Sequence, residues 1–211
     1  DDAVAILMAL REPTIDVFGI TLVSGNVPRD QGIINTLSTI ELCEETTKVY
    51  AGAEKPLMRD YSEVQTLEEF SAHVQTRSPV SLSAQCVHGE DGMGDIGIQP
   101  IHTEYEEDDA IDFLINSFNQ QPGEITLVTL GPLTNIALAL QKDPSIIEKI
   151  EHCYVMGGTS DGTGNVSSTA EFNIWVDPEA AAIVFDSGLP ITMVGWDNSY
   201  KYAMLKEKEI E

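Results

Sequence analysis

The sequence predicts a single α/β domain over residues 1–211, with a mostly parallel open sheet and helices on both faces in a Rossmann-like arrangement. Apolar strand-like segments alternate with amphipathic helical segments along the whole chain. The apolar content of 42% and the ordinary numbers of glycine and proline are typical of a globular protein. No repeat, low-complexity tract or linker divides the chain, which is long enough to bury one good-sized core.

The first half of the chain begins with a helical pattern. In residues 1–10, apolar side chains recur at helical spacing behind two aspartates, which favours a buried helix. Residues 15–26 are an apolar run that ends in a polar turn, as in a buried parallel strand. Pro28 and the apolar period that follows predict a helix over 28–46. The remaining elements predicted here are a strand over 48–52, a loop over 53–64, a helix from the capping box Thr66–Glu69, and a long loop over 78–105.

The second half repeats the alternation more clearly. Residues 107–120 form an amphipathic helix that Pro122 and Gly123 end. Asp177-Pro178-Glu179 is a strong helix start, because aspartate caps free N–H groups and proline fits the first turn. The other predicted elements are strands over 125–131, 152–158 and 190–197, helices over 132–141 and 177–187, and the opening of a further helix in the final LKEKEIE.

The composition excludes several classes of function. The 35 acidic and 11 basic residues give a formal net charge of −24. Nucleic acid is therefore not an expected partner, because its phosphates need Lys and Arg, and an anionic membrane is disfavoured for the same reason. No run of 18 apolar residues or signal-peptide pattern is present. The three cysteines lie far apart, which predicts free buried thiols in a reducing, cytoplasmic setting, and the four histidines form no zinc pattern.

Polar residues follow the carboxyl ends of several predicted strands, at the edge where open α/β sheets bind ligands. Asn165, Glu171 and Asn173 lie in the stretch between the strand at 152–158 and the helix at 177–187. Two amides and a carboxylate there can hold a ligand's hydroxyl groups. Turn formation would explain any one of them, but it explains the string EFNIWVDPEAA poorly. The strand ends with this character are Ser24-Gly25-Asn26, Leu130-Gly131-Pro132, Met156-Gly157-Gly158 and Trp196-Asp197-Asn198.

Two further motifs allow more than one explanation. Asp1 and Asp2 are either helix-capping acids or ligands for a hard cation such as Ca²⁺ or Mg²⁺. His88 opens the glycine-rich string HGEDGMG, which either places an ionisable imidazole on a loop or forms a phosphate-binding loop, although its spacing is not that of a Walker loop and no Lys-Ser/Thr follows. An EF-hand is excluded because the twelfth position from Asp161 is Phe172. The absence of a G-x-S-x-G motif leaves a serine hydrolase unsupported.

In order along the chain, DDAVAILMAL, SGN, YAG, HGEDGMG, LGPLTNIALAL, VMGG, AEFNIWVDPEAA and ITMVGWD resemble segments of the inosine–uridine nucleoside hydrolase family. The resemblance implies the nucleoside hydrolase fold. It also implies hydrolysis of the N-glycosidic bond of ribonucleosides to free base and ribose, with one bound Ca²⁺ and a calcium-bound water. In the family signature D-x-D-x-x-x-D-D, Asp1 and Asp2 match the final pair. Asp2 then looks like a bidentate calcium ligand, the main-chain carbonyl of Leu130 like a second ligand, and Asp1 like a partner of the ribose hydroxyls.

The resemblance also implies roles for residues nearer the substrate. Asn165, Glu171 and Asn173 match the trio that holds ribose, and Asn26 looks like a nearby polar contact. His88 matches a residue beside the leaving base and is similar to the histidine of the broad-specificity branch. A small-molecule nucleoside is the implied substrate, and a homodimer or homotetramer the implied assembly.

The sequence departs from the family pattern at both ends. The first two aspartates of the signature, which include the general base, are not in it, nor is a late histidine–aspartate pair. We therefore expect a domain that is incomplete at both termini and belongs to a longer enzyme, and we expect these 211 residues alone to bind calcium poorly and to turn over no substrate. One alternative is a catalytically inactive α/β protein that keeps Asn165, Glu171 and Asn173 to grip ribose. Another is a hydrolase of the same fold acting on a different ribosyl compound, such as nicotinamide riboside.

Overall fold

The computed structural model describes residues 2–58, 88–102 and 104–203, and these form an open parallel α/β architecture. The predicted fold class is thereby confirmed. Several predicted parts lie outside the described residues, namely Asp1, the helix from Thr66, residues 78–87 and 103 of the loop predicted over 78–105, and the terminal helix in LKEKEIE. The described strands are β1 (Ile20–Leu22), β2 (Val49–Ala51), β3 (Ile125–Thr129), β4 (Ile150–Met156) and β5 (Ile191–Val194). The described α-helices are α1 (Asp2–Arg11), α2 (Arg29–Leu42), α3 (Ala110–Gln120), α4 (Thr134–Lys142), α5 (Phe172–Val176), α6 (Pro178–Asp186) and α7 (Trp196–Tyr202).

The described strands pair in parallel and form two sheets. In the first sheet β1 lies beside β2, with Ile20 opposite Val49. In the second sheet β4 lies between β3 and β5, so that Val128, Tyr154 and Thr192 stand in one row across it. Because parallel strands point the same way, all carboxyl ends within a sheet meet at one edge.

The buried side chain of Asn135 in α4 connects the first sheet to the second half of the chain. Its Nδ2 donates to the carbonyl of Leu22 at 2.9 Å, and its Oδ1 accepts from the N–H of Ala53 at 2.8 Å. Leu22 ends β1, and Ala53 follows β2. One amide therefore satisfies backbone groups of both strand ends, which brings the edge of the first sheet to α4.

The larger core lies between the second sheet and the helices α3, α4 and α6. Cys153 and Val155 of β4 are fully buried and pack in one cluster with Ile136, Leu140 and Val184. A smaller cluster joins α2 to β2 through Ile33, Ile40 and Val49. The predicted burial of free thiols is confirmed for Cys43 and Cys153, while Cys86 lies outside the described residues.

The structure corrects the expected burial of the first helix. Residues 2–11 are helical, as predicted, but none is buried, and Val4, Leu7 and Met8 are exposed. Leu10 packs against the small cluster on α2 and β2. Apolar spacing predicts that a helix forms, but burial also requires neighbouring elements to cover its apolar face.

Several element boundaries differ from those predicted. The strand expected over 15–26 is limited to β1, and the strand expected over 190–197 ends at Val194. Helix α7 begins at Trp196, within the segment that was predicted as a strand over 190–197. Helix α5 lies between the strand predicted at 152–158 and the helix predicted at 177–187, where no helix was predicted, and a 3₁₀-helix over Pro144–Lys149 follows the cap Asp143. None of the helices in the described ranges combines the length and apolar character needed to cross a membrane.

Candidate active site

The carboxyl ends of β3 and β4 converge on the side chain of Asn173. Its Nδ2 donates to the carbonyl of Leu130 at 2.9 Å and to the carbonyl of Met156 at 3.1 Å. Because both partners are acceptors, the network itself identifies the donor nitrogen. The residue is 7% exposed, and its Oδ1 accepts no hydrogen bond from any described residue. Asn173 therefore offers a fixed, unused acceptor at the sheet edge.

Glu171 is a buried carboxylate at the same place. It is 3% exposed and caps α5: its Oε1 accepts from the N–H of Asn173 at 3.0 Å, and its Oε2 accepts from the N–H groups of Gly158 at 2.9 Å and Ile174 at 3.3 Å. A carboxylate offers about four acceptor positions. Three backbone N–H groups therefore occupy three of these positions, and one position remains for a ligand.

Asn165 completes the predicted trio from the loop before α5. Its Oδ1 accepts from the N–H of Phe172 at 2.8 Å, and its own N–H donates to the carbonyl of Ala170 at 3.1 Å. Phe172 lies between Glu171 and Asn173 in the chain. The structure therefore brings Asn165, Glu171 and Asn173 together at the edge that also carries Leu130. Whether they bind ribose stays a prediction.

Asn26 lies on the neighbouring loop, after β1. A Cβ atom added to Gly25 would lie 3.1 Å from Cδ of Pro132, so this loop runs against the segment that follows Leu130. Asn26 is half-buried, and its side chain has no hydrogen-bond partner among the described residues. Its amide is available to a ligand on this side of the edge.

The loop that begins at His88 packs against Val27, the residue that follows Asn26. A Cβ atom on Gly92 would lie 2.6 Å from Cγ1 of Val27, and the φ of Gly92 is +74°, so both space and backbone conformation require glycine. Asn35 of α2 holds the loop by donating to the carbonyl of Asp91 at 2.8 Å. His88 is half-buried, and burial lowers the pKa of its imidazole.

The predicted metal ligands fit a hard cation in kind. The carbonyl of Leu130 accepts one hydrogen bond from Asn173 and keeps a second lone pair. Asp2 is solvent-exposed at the start of α1, yet the surrounding protein atoms desolvate its carboxyl and raise its pKa. Oxygen donors of this type suit Ca²⁺, which takes six to eight of them. Within the described ranges, no group of three or more acidic, His or Cys side chains is placed so that it could hold a metal ion, so a full shell needs further ligands.

Three contributors to this edge were not predicted as site residues. Met156 supplies a carbonyl to Asn173, and Gly158 supplies an N–H to Glu171. Asp197 holds Ser160, two residues beyond Gly158. The strand-end motifs at 156–158 and 196–198 were the available signal. The backbone roles of Met156 and Gly158 could not be derived from side-chain types. Asp177, predicted as a helix cap, does cap α6 through the N–H of Ala180 at 3.0 Å.

Comparison with known proteins gives a consistent set of relatives. A family model described as inosine-uridine preferring nucleoside hydrolase matches residues 1–211. The pyrimidine-specific ribonucleoside hydrolase RihB of Escherichia coli is 40% identical over 197 residues, which are 93% of this chain and 56% of that protein.

Solved structures agree with the sequence match. The plant nucleoside hydrolase PpNRh1 has a TM-score of 0.81 at 35% identity and covers 94% of this chain. The purine-preferring ribonucleoside hydrolase of Gardnerella vaginalis also has a TM-score of 0.81 at 35% identity and covers 93%. The chain spans 57% of the length of each of these two structures, so it corresponds to somewhat more than half of its relatives. On this evidence the chain belongs to the inosine–uridine preferring nucleoside hydrolase family.

Proposed function

We propose that the full-length protein hydrolyses the N-glycosidic bond of ribonucleosides and releases the free base and ribose. The observation that carries the proposal is the convergence of Glu171 and Asn173 on the strand ends at Leu130 and Met156. Each side chain is fixed by backbone groups and keeps an acceptor position for a ligand. Membership of the family and the names of the relatives support the same reaction.

The buried charge of Glu171 suits the electronic demand of this reaction. Cleavage of an N-glycosidic bond builds positive charge on the sugar ring, and a fixed carboxylate in a site that excludes water stabilises it strongly. Asn173, Asn165 and Asn26 would bind the neutral hydroxyl groups and orient the ring. His88 would lie beside the departing base, where its imidazole can donate a hydrogen bond.

The substrate class follows from what the relatives share. RihB is named for pyrimidine nucleosides and the Gardnerella vaginalis enzyme for purine nucleosides, so the base differs while the ribonucleoside is common. We therefore propose ribonucleosides as the class. Nucleoside salvage in the cytoplasm and a homodimeric or homotetrameric assembly belong to the same proposal, as does the absence of nucleic-acid and membrane partners. The strongly acidic charge supports the exclusion of those partners.

We further propose Ca²⁺ as the metal of the full-length protein. The carboxylate of Asp2 and the carbonyl of Leu130 would be two of its oxygen ligands. When bound, such an ion would orient the sugar diol and lower the pKa of a bound water.

The test is ribose release from inosine and uridine by the full-length protein. Glu171→Gln keeps the size of the side chain but removes its charge, so kcat/KM is expected to fall by about 100-fold or more. Glu148→Gln is the matched control, because Glu148 is exposed on the 3₁₀-helix and should leave kcat/KM unchanged. Circular dichroism confirms that both variants fold.

Two results would overturn the proposal. One is that the unsubstituted protein releases no ribose from either nucleoside. The other is that folded Glu171→Gln is as active as Glu148→Gln. Binding of ribose without turnover would favour the non-catalytic alternative.

A further inference from the structure

Asp197 is a buried carboxylate outside the ribose-facing trio, at the junction of β5 and α7. It is 8% exposed, and both of its oxygens bind Ser160: Oδ1 accepts from the Ser160 N–H at 2.8 Å and Oδ2 from its hydroxyl at 2.6 Å. These bonds, the backbone one first, lower the pKa of Asp197 and keep it ionised. A residue of α7 thus holds the loop after β4 by a two-point contact.

That loop is also held on its other side by Glu171. The N–H of Gly158 donates to Oε2 of Glu171 at 2.9 Å, while the carbonyl of the same residue accepts from the N–H of Trp196 at 2.8 Å. The N–H of Gly157 donates to the carbonyl of Val194 at 3.2 Å. The short segment from Gly157 to Ser160 is therefore fixed between the β5–α7 junction and the carboxylate assigned to ribose.

The contact at the junction leaves little space for movement. A Cβ atom added to Gly195 would lie 2.6 Å from Oδ1 of Asp197 and 3.2 Å from Cα of Thr159. The next turn of α7 makes a second contact with the loop, an exposed ion pair between Lys201 and Asp161 at 2.7 Å. Exposed pairs of this type contribute little to stability, so the tight contact is the one made by Asp197.

We propose that Asp197 is a positioning residue, which fixes the Gly157–Ser160 segment and thereby aims Glu171 at the ribose. The inference rests on the proposed function. The carboxylate of Asp197 binds Ser160, and it would act through Ser160 and the N–H of Gly158 rather than on the substrate itself. A displacement of about 1 Å in a positioned catalytic group can cost about 100-fold in rate, which sets the size of the expected effect.

The experiment measures kcat and KM of the full-length protein with inosine and uridine. Asp197→Ala removes both acceptors, and kcat/KM is expected to fall by about 100-fold. Asp197→Asn keeps one acceptor for the Ser160 N–H, so its kcat/KM should fall less, by only about 10-fold. Lys201→Ala, on the same helix, is the matched control and is expected to stay within about twofold.

Two further readouts test whether the loss arises at the ribose and through Ser160, and the melting temperature of each variant separates positioning from general stability. The factor by which kcat/KM falls should be equal for inosine and uridine, because the ribose is common to both. Adding Ser160→Ala to Asp197→Ala should lower kcat/KM little further, because Asp197→Ala has already removed the acceptor of the Ser160 hydroxyl. Thermal unfolding of every variant is recorded alongside.

The outcomes distinguish this inference from the function on which it rests. If the unsubstituted protein is active and Asp197→Ala lowers only the melting temperature, Asp197 is merely structural and the inference is wrong. If the unsubstituted protein releases no ribose, the proposed function fails, and the inference fails with it. A kinetic loss shared by both nucleosides, partly restored in Asp197→Asn and absent in Lys201→Ala, supports it.

Discussion

At the scale of single residues, side chains at the sheet edge are held by backbone groups rather than by one another. Glu171 accepts from three N–H groups, and Asn173 donates to two carbonyls. Leaving such buried polar groups unpaired would be costly, so their geometry is set when the chain folds. A ligand bound at this edge would therefore meet acceptors that are already oriented, which is the condition for strong electrostatic stabilisation.

His88 permits a prediction about pH at this scale. Burial places its pKa in the folded protein below the ordinary value of 6.5. Above that value the imidazole is neutral in both states, and stability is unaffected. As the pH falls through 6.5 the unfolded chain takes up the proton first, so stability declines until the pH passes the folded pKa. The titration midpoint of His88 by NMR is expected below 6.5, and it should return to about 6.5 in urea.

The matched variant is His88→Gln, which should lose this part of the acid sensitivity. Its free energy of unfolding should change less than that of the unsubstituted chain between about pH 7 and about pH 5. A folded-state midpoint at or above 6.5 would contradict the prediction.

At the scale of elements, one fully buried carboxylate joins three parts of the chain. Asp177 is 0% exposed and caps α6 through Ala180. Its other oxygen accepts from the N–H of Leu57 at 2.9 Å and from the hydroxyl of Thr134 at 2.6 Å. The segment after β2, the start of α4 and the start of α6 therefore depend on the same side chain.

Asp177→Asn is expected to destabilise the fold, because an NH₂ group replaces one acceptor and then faces N–H or O–H donors. Each donor left without a partner costs about 1–3 kcal/mol, so a loss of about 2 kcal/mol or more is expected in urea unfolding. Asp109→Asn is the control: Asp109 caps α3 through Ile111 at 2.8 Å but is exposed, and asparagine caps equally well. Equal stability of the two variants would show that Asp177 is not such a junction.

The same elements show what the sequence could predict. The strand at β3 and the helix starts at α4 and α6 carry local signals, namely an apolar run, a following Pro132 and the cap Asp177. Helix α5 carries none, because five residues are too few for a period and Glu171 is an unusual cap. The residue types at the site were predicted from motifs. The contact between Ser160 and Asp197 joins residues 37 positions apart and depends on tertiary packing, so no local sequence pattern predicts it.

At the scale of the whole molecule, the dominant feature is the excess of acid. The described ion pairs use Arg29, Lys48, Lys142 and Lys201, but the chain has 35 acidic residues against 11 basic ones. A net charge far from zero keeps a protein soluble and destabilises the compact state by self-repulsion. Neutral nucleosides are unaffected by this field at long range, whereas anionic ligands are repelled.

This repulsion predicts a stability that rises with salt. Screening shortens the range of the repulsion, from a Debye length of about 10 Å at about 0.1 M to about 3 Å at about 1 M. The melting temperature of the 211-residue chain should therefore rise as the NaCl concentration is raised from about 0.05 M to about 0.5 M. It is measured with a chelator present so that divalent ions play no part.

Replacing exposed Glu107 and Asp108 by Lys changes the net charge from −24 to −20, because each exchange removes a negative charge and adds a positive one. That variant should melt higher at low salt and respond less to NaCl, while Glu107→Asp with Asp108→Glu keeps the charge and should behave like the original chain. A melting temperature that falls with salt, or a lysine variant with the same salt response, would show that self-repulsion is not what limits the stability of this fold.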